Sequence, residues 1–283
     1  MPNRQYYSVR TGKNPLGSQW DLPNLLRVFK DLYRDFLHKD YFQEAFGYGC
    51  VDAGDVAGTL GSNSSIGAHM RRKLRKPKLW PVEQECRHYS EDDLFDVIEF
   101  LYDYISKPKE GNYHDYNNCG WHYDTFDSKS GQEEYRAEIN ELLRDYQEGY
   151  ELSIDGEILA LPEKGMETLL NASLPIYDIE NVEKRVENAK LKYRRHRSSI
   201  EDRRDAIRDL SDVLEFLRPK LKLVITKSDE SDIFNIANNF GIRHHNDAQK
   251  TDYEKSVWYS WMFYYYLATI QAVVRLIQNN NQV

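Results

Sequence analysis

Arg243, His244 and His245 stand side by side in the stretch NNFGIRHHNDAQ (residues 238–249), just after Gly241 and ahead of a long aromatic segment. Histidine titrates near neutral pH and passes protons, while arginine grips phosphate through its planar fork. RNA cleavage needs a base for the ribose 2′-hydroxyl, an acid for the leaving oxygen and a cation for the charged phosphorane. These three side chains supply that set without metal, and Asn246 adds a polar contact for nucleic acid. Neighbouring residues point in different directions, so one copy of the turn cannot aim all three at one pocket. A dimer that brings two copies of the turn together removes that difficulty. The plainer reading is a polar junction between helices, with the imidazoles bonded to nearby carbonyls.

A second group of residues suits phosphate. The segment MRRKLRKPKLWP carries Arg71, Arg72, Lys73, Arg75, Lys76 and Lys78 with no acid among them, and Trp80 follows as a ring able to stack on a base. A further basic run, KLKYRRHR, spans 190–197. Either run also makes sense as a solvated face. The net charge of −8 argues against indiscriminate nucleic-acid binding by the whole surface but leaves a local basic patch open.

Cys86, His88, His114, Cys119 and His122 are all metal-capable types, and two nitrogen–sulfur pairs suit tetrahedral zinc. The spacing Cys119-x2-His122 has no matching second pair, and Cys86-x-His88 is too tight for an ordinary zinc knuckle. Histidines bonded to aspartates account for the same residues, so no metal and no cofactor are expected. The three cysteines, Cys50, Cys86 and Cys119, form no CxxC pair, and with the polar start MPNRQYYSVR they read as reduced thiols in a cytoplasm. No phosphate loop, GxGxxG, HExxH or GxSxG occurs, which leaves nucleotide-driven, Rossmann redox and serine hydrolase chemistry without their markers.

The elements that must position these residues are mainly helical. Leu22, Leu25, Leu26, Phe29, Leu32, Tyr33 and Phe36 repeat at three and four, which predicts a helix over about 21–38. Ser90 and the acids after it start a second helix carrying Leu94, Ile98, Leu101 and Ile105. A third runs over about 132–147. The period changes at GYELSIDGEILALP, where Asp155-Gly156 between apolar residues signals a hairpin. Four more helices are expected, over about 179–195 and 198–217 (with Pro219 just beyond), in SDIFNIANNF, and over about 252–279. Val257–Val274 contains no charge and is long enough to span a bilayer, but Tyr259, Ser260, Tyr264, Tyr265, Tyr266, Thr269 and Gln271 make it a buried bundle helix instead. The expected organisation is an N-terminal helical region (1–150), a hairpin and linker (151–175) and a C-terminal bundle (176–283), with no membrane association.

NNFGIRHHNDAQ followed by YSWMFYYYLATIQAVVRLI resembles the C-terminal domain of bacterial abortive-infection proteins, related to HEPN domains. YRAEINELLRDYQEGYELSIDGEIL resembles the AbiJ-like region found upstream of that domain. The resemblance spans about 90–280. It implies a HEPN-like helical bundle, often dimeric, in phage defence or toxin systems, and a metal-independent endoribonuclease with Arg243, His244 and His245 as its candidate groups. RNA, a second copy of the chain, and an antitoxin or phage-derived trigger are the implied partners. Asn238, Asn239 and Phe240 stand where such RNases carry an arginine, separated from the histidine by four to six residues. The alternative is a non-catalytic binding or sensor module that pairs with a toxin or phage component.

Overall fold

The computed structural model describes residues 6–13, 20–239, 242 and 253–280. The chain is mainly α, with short two-stranded antiparallel sheets, and divides into two units, 1–161 and 162–283.

The first unit runs through α1 (Tyr7–Arg10), α2 (Leu22–His38), α3 (Gln43–Phe46), β1 (Tyr48–Cys50), β2 (Gly54–Val56) and α4 (Asn63–Leu74). It continues with α5 (Val82–Glu85), α6 (Glu91–Tyr104), β3 (Lys107–Pro108), β4 (Gly111–His114), β5 (Gly120–Tyr123) and β6 (Phe126–Asp127). It closes with α7 (Ser128–Leu143), β7 (Tyr150–Leu152) and β8 (Ile158–Ala160). The start of α2 is fixed by Asp21, whose carboxylate accepts the Asn24 N–H at 2.9 Å, and by a proline in the first turn. Its apolar stripe, Leu25, Leu26, Phe29, Tyr33 and Phe36, is buried as its spacing predicts. A reciprocal capping box between Ser90 and Asp93 opens α6. Leu94, Ile98 and Leu101 of α6 then meet Tyr135 and Ile139 of α7 in one core. The Asp155-Gly156 hairpin forms as expected, pairing Leu152 with Ile158. Tyr150, Leu152 and Ile158 lie in the first core, so the hairpin belongs to the first unit.

Three further sheets were not legible in the periodicity: β1 with β2, β3 with β6, and β4 with β5. Their strands are two to four residues long and mostly exposed or half-buried. Hydrogen bonding forms them, with little apolar alternation to announce it.

The second unit comprises α8 (Glu167–Leu170), a π-turn at Ile179–Glu183, α9 (Lys184–Arg194), α10 (Ile200–Leu221), α11 (Lys227–Asn239) and α12 (Lys255–Asn280). A second capping box, Ser199 with Asp202, starts α10. That helix runs past the boundary expected before Pro219, because a proline in the last turn removes only one bond while Leu221 beyond it is buried. Among the described residues no helix is long and apolar enough to cross a membrane. Met262, Phe263, Tyr266, Ile270, Val274 and Ile277 of α12 instead fill the second core, where Phe263 stacks on Tyr193 of α9 with centroids 3.8 Å apart. Burying each such large side chain contributes about 1.5–3 kcal/mol.

Candidate nucleic-acid interface and a cysteine–histidine cluster

The basic run of the first unit forms the end of α4. Ile66 and Met70 turn inward and are buried, so the helical period carries Arg71, Arg72 and Lys73 outward in the last turn, where cations also complement the helix dipole. The backbone enters the left-handed region at the C-cap Arg75 (φ 56°) and again at Lys78 (φ 58°), and both side chains are exposed. Among the described residues, none of Arg71, Arg72, Lys73, Arg75 and Lys78 makes an ion pair with a carboxylate. Burial first, then the charges of Arg72 and Lys73, lowers the pKa of His69, whose Nε2 lies 2.7 Å from the Tyr104 hydroxyl. This helix end therefore carries a positive field.

Two members of the expected interface are used otherwise. The Lys76 ammonium lies 3.1 Å from Asp93 and 2.6 Å from Asp96 on α6, so it anchors the segment rather than facing phosphate. Trp80 donates its indole N–H to Asn63 at 2.7 Å and meets the Phe46 ring edge-on. A Cβ on Gly67 would lie 3.0 Å from the Trp80 ring, which shows how closely the indole lies on α4. This ring is structural packing, not an open stacking platform. Beside the run, a cleft of about 640 Å³ is lined by Lys78, Gln84, Arg87 and His88, with Glu85 and Asp93 also on its wall.

The run at 190–197 is built differently. Lys190 pairs with Glu187 at 2.8 Å, Lys192 pairs with Asp209, and Lys190, Tyr193 and Arg194 are buried. Lys190, Lys192 and Arg194 thus belong to the packing of α9 and α10, while Arg195 and Arg197 are exposed. Arg243, His244, His245 and Asn246 lie outside the described residues.

The metal-capable residues sort into two groups. Cys86 is buried in the first core, donates to the Leu26 carbonyl, and has its pKa pushed up to about 11 by burial. His88 is exposed and accepts from the Arg87 Nε at 2.9 Å. Neither approaches the others. His114, Cys119 and His122 do come together, and their companion is Cys50, which spacing alone did not indicate. One ligand atom from each of these four lies within 4.8 Å of every other, and all four residues are half-buried.

Local geometry explains the convergence. In the β4–β5 ladder His114 pairs with Gly120 and Asn112 with His122. His114 and His122 are therefore diagonal neighbours on one face of the ribbon, their ring centroids 5.3 Å apart. Asn117 and Asn118 take left-handed conformations in the turn between the strands, which delivers Cys119 to the start of β5. Gly111 permits the close pairing, since a Cβ there would sit 2.3 Å from the His122 carbonyl oxygen. Cys50 ends β1, and its sulfur receives the Ala53 N–H at 3.4 Å, the leading cause of a lowered thiol pKa. The Cys50 sulfur lies 3.7 Å from His114 Nδ1, and the Cys119 sulfur 3.3 Å from His122 Nε2. On its other side His114 Nε2 lies 3.2 Å from Asp52, and the Tyr48 ring stacks on His122 at 4.3 Å.

Buried Gln43 fixes this ribbon to α3. It donates to the Trp121 carbonyl at 3.0 Å and accepts the Tyr123 N–H at 2.7 Å. Comparison with known protein families, with characterised proteins and with solved structures finds no match to this chain.

Proposed function

We propose that this protein binds RNA through the basic end of α4. One observation carries the reading: Arg71, Arg72, Lys73, Arg75 and Lys78 are exposed at one helix end, and none of them makes an ion pair with a carboxylate among the described residues. Clustered exposed cations follow a phosphate backbone by displacing its counterions. The net charge of −8 argues against attraction by the whole surface.

The fuller form of the proposal is a defence-type, metal-independent endoribonuclease. In it His244 or His245 exchanges the proton, Arg243 holds the phosphate, and two copies of the chain complete the site. That half rests on the sequence resemblance and on the chemistry of the residues, while the binding half rests on the geometry of α4.

The two halves are tested separately. Fluorescence anisotropy with a labelled single-stranded RNA compares the wild-type chain with Arg71→Glu/Lys73→Glu/Arg75→Glu, which leaves buried Ile66 and Met70 untouched. Affinity is expected to fall by ~10-fold or more with the helical circular dichroism unchanged. Equal affinity rejects the interface. Cleavage of labelled total RNA without added divalent metal, lost in His244→Ala/His245→Ala, supports the nuclease. Binding without cleavage in the wild type rejects the nuclease and leaves a binding module.

A further inference from the structure

We propose that Cys50, His114, Cys119 and His122 form a zinc site that locks two hairpins of the first unit together. The inference is independent of RNA binding and of cleavage.

The distances fit the ion. With Zn–S near 2.3 Å and Zn–N near 2.0–2.1 Å, a tetrahedron has sulfur–nitrogen edges of about 3.6 Å. The two sulfur–nitrogen separations here, 3.7 and 3.3 Å, bracket that edge. Isolated thiol–imidazole hydrogen bonds account for two pairs. They do not account for four ligand atoms all within 4.8 Å of one another. His114 also has the support that zinc-bound histidines use: Nδ1 faces the cluster while Nε2 meets the Asp52 carboxylate at 3.2 Å. The Ala53 N–H aimed at the Cys50 sulfur at 3.4 Å stabilises a thiolate in the same way.

Gln43 ties β5 to α3 and Tyr48 stacks on His122, but the buried apolar core does not reach these strands. Sheets β1–β2 and β4–β5 are each two-stranded, and such ribbons are marginal alone in water. No residue of 48–56 or 111–123 belongs to the buried core of the first unit. Cys50 comes from one ribbon and the other three ligands from the second, so one ion ties the two. Two thiolates and two imidazoles close a tetrahedral shell and leave no position for substrate, which makes the role structural. On binding, both thiols give up their protons to solvent, so affinity declines as pH falls.

The test uses the full chain purified without added metal and dialysed against metal-free buffer. About one zinc per chain is expected by mass spectrometry of the metal content. Cys50→Ser/Cys119→Ser is expected to lose it, and Cys86→Ser to keep it. Should the double variant fail to fold, Co²⁺ added to wild-type chain stripped of metal decides the matter. Tetrahedral d–d absorption with thiolate charge-transfer bands, bleached by an equivalent of Zn²⁺, supports the site. Wild-type protein that neither retains zinc nor produces that cobalt spectrum overturns the proposal. So does a folded double variant that still holds the metal.

Discussion

If the end of α4 meets a phosphate backbone, the salt dependence of binding must report the number of free cations there. Five exposed side chains qualify: Arg71, Arg72, Lys73, Arg75 and Lys78. Each phosphate neutralised on a single strand contributes ~−0.7 to the slope of log K against log salt, so five give ~−3.5. Between ~50 and ~200 mM salt that slope weakens binding by ~130-fold. Replacing Arg71 and Arg75 by Gln leaves three cations, a slope of ~−2.1 and a loss of only ~20-fold over the same range. Lys76→Met is the internal control, because Lys76 is committed to Asp93 and Asp96 and its loss should leave the slope unchanged. The assay is an anisotropy titration repeated at four or five salt concentrations on one short RNA. A slope that stays the same in Arg71→Gln/Arg75→Gln, or that Lys76→Met flattens as much, refutes the assignment of phosphate contacts to these residues.

Gln43→Ala should destabilise the first unit by about 1–3 kcal/mol, because the Tyr123 N–H loses its acceptor, and it should speed hydrogen exchange at that amide. Urea denaturation with no loss of stability would show that water replaces the side chain at no cost. The Glu99 carboxylate accepts the Ile158 N–H at 2.7 Å, and burial, outweighing that bond, raises its pKa. The folded state therefore binds the proton more tightly than the unfolded one, and stability is lost as pH rises from the unfolded value of about 4.3 through the higher folded one. Glu99→Gln keeps an acceptor oxygen without the charge. It should raise Tm at neutral pH, with the gain vanishing below about pH 4, whereas a pH-independent drop in Tm would contradict the burial argument.

Helix faces and caps were readable because they are local. Leu25, Phe29, Tyr33 and Phe36 repeat within one helix, and Ser90 caps through a residue only three positions away. The Asp155-Gly156 turn was equally local. What escaped sequence reading depends on distant partners. Cys50 meets His114 across 64 positions, and nothing in the spacing of either announces the other. Gln43 reaches Trp121 and Tyr123 across 78 and 80 positions, and it resembles any other polar residue until the ribbon lies against it. The basic run reads as six equivalent cations, yet the fold gives Lys76 to two aspartates of α6 and leaves the rest outward. In KLKYRRHR the helix itself was legible, but nothing in the run announced that Lys190 and Arg194 would be buried beside Tyr193.

The placement of the β7–β8 hairpin also decides where the polypeptide can be cut. Tyr150, Leu152 and Ile158 belong to the first core, and the Tyr150 ring sits against Phe95 with centroids 5.2 Å apart. A fragment ending at residue 150 removes Leu152 and Ile158, uncovers α6 and leaves the Glu99 carboxylate without its donor. Ending instead after Leu161 keeps that core whole, and residues 162–283 carry all of the other. Each piece keeps its own core, so heating the intact chain is expected to show one transition per unit, and the Tm that Glu99→Gln shifts is the one belonging to the first.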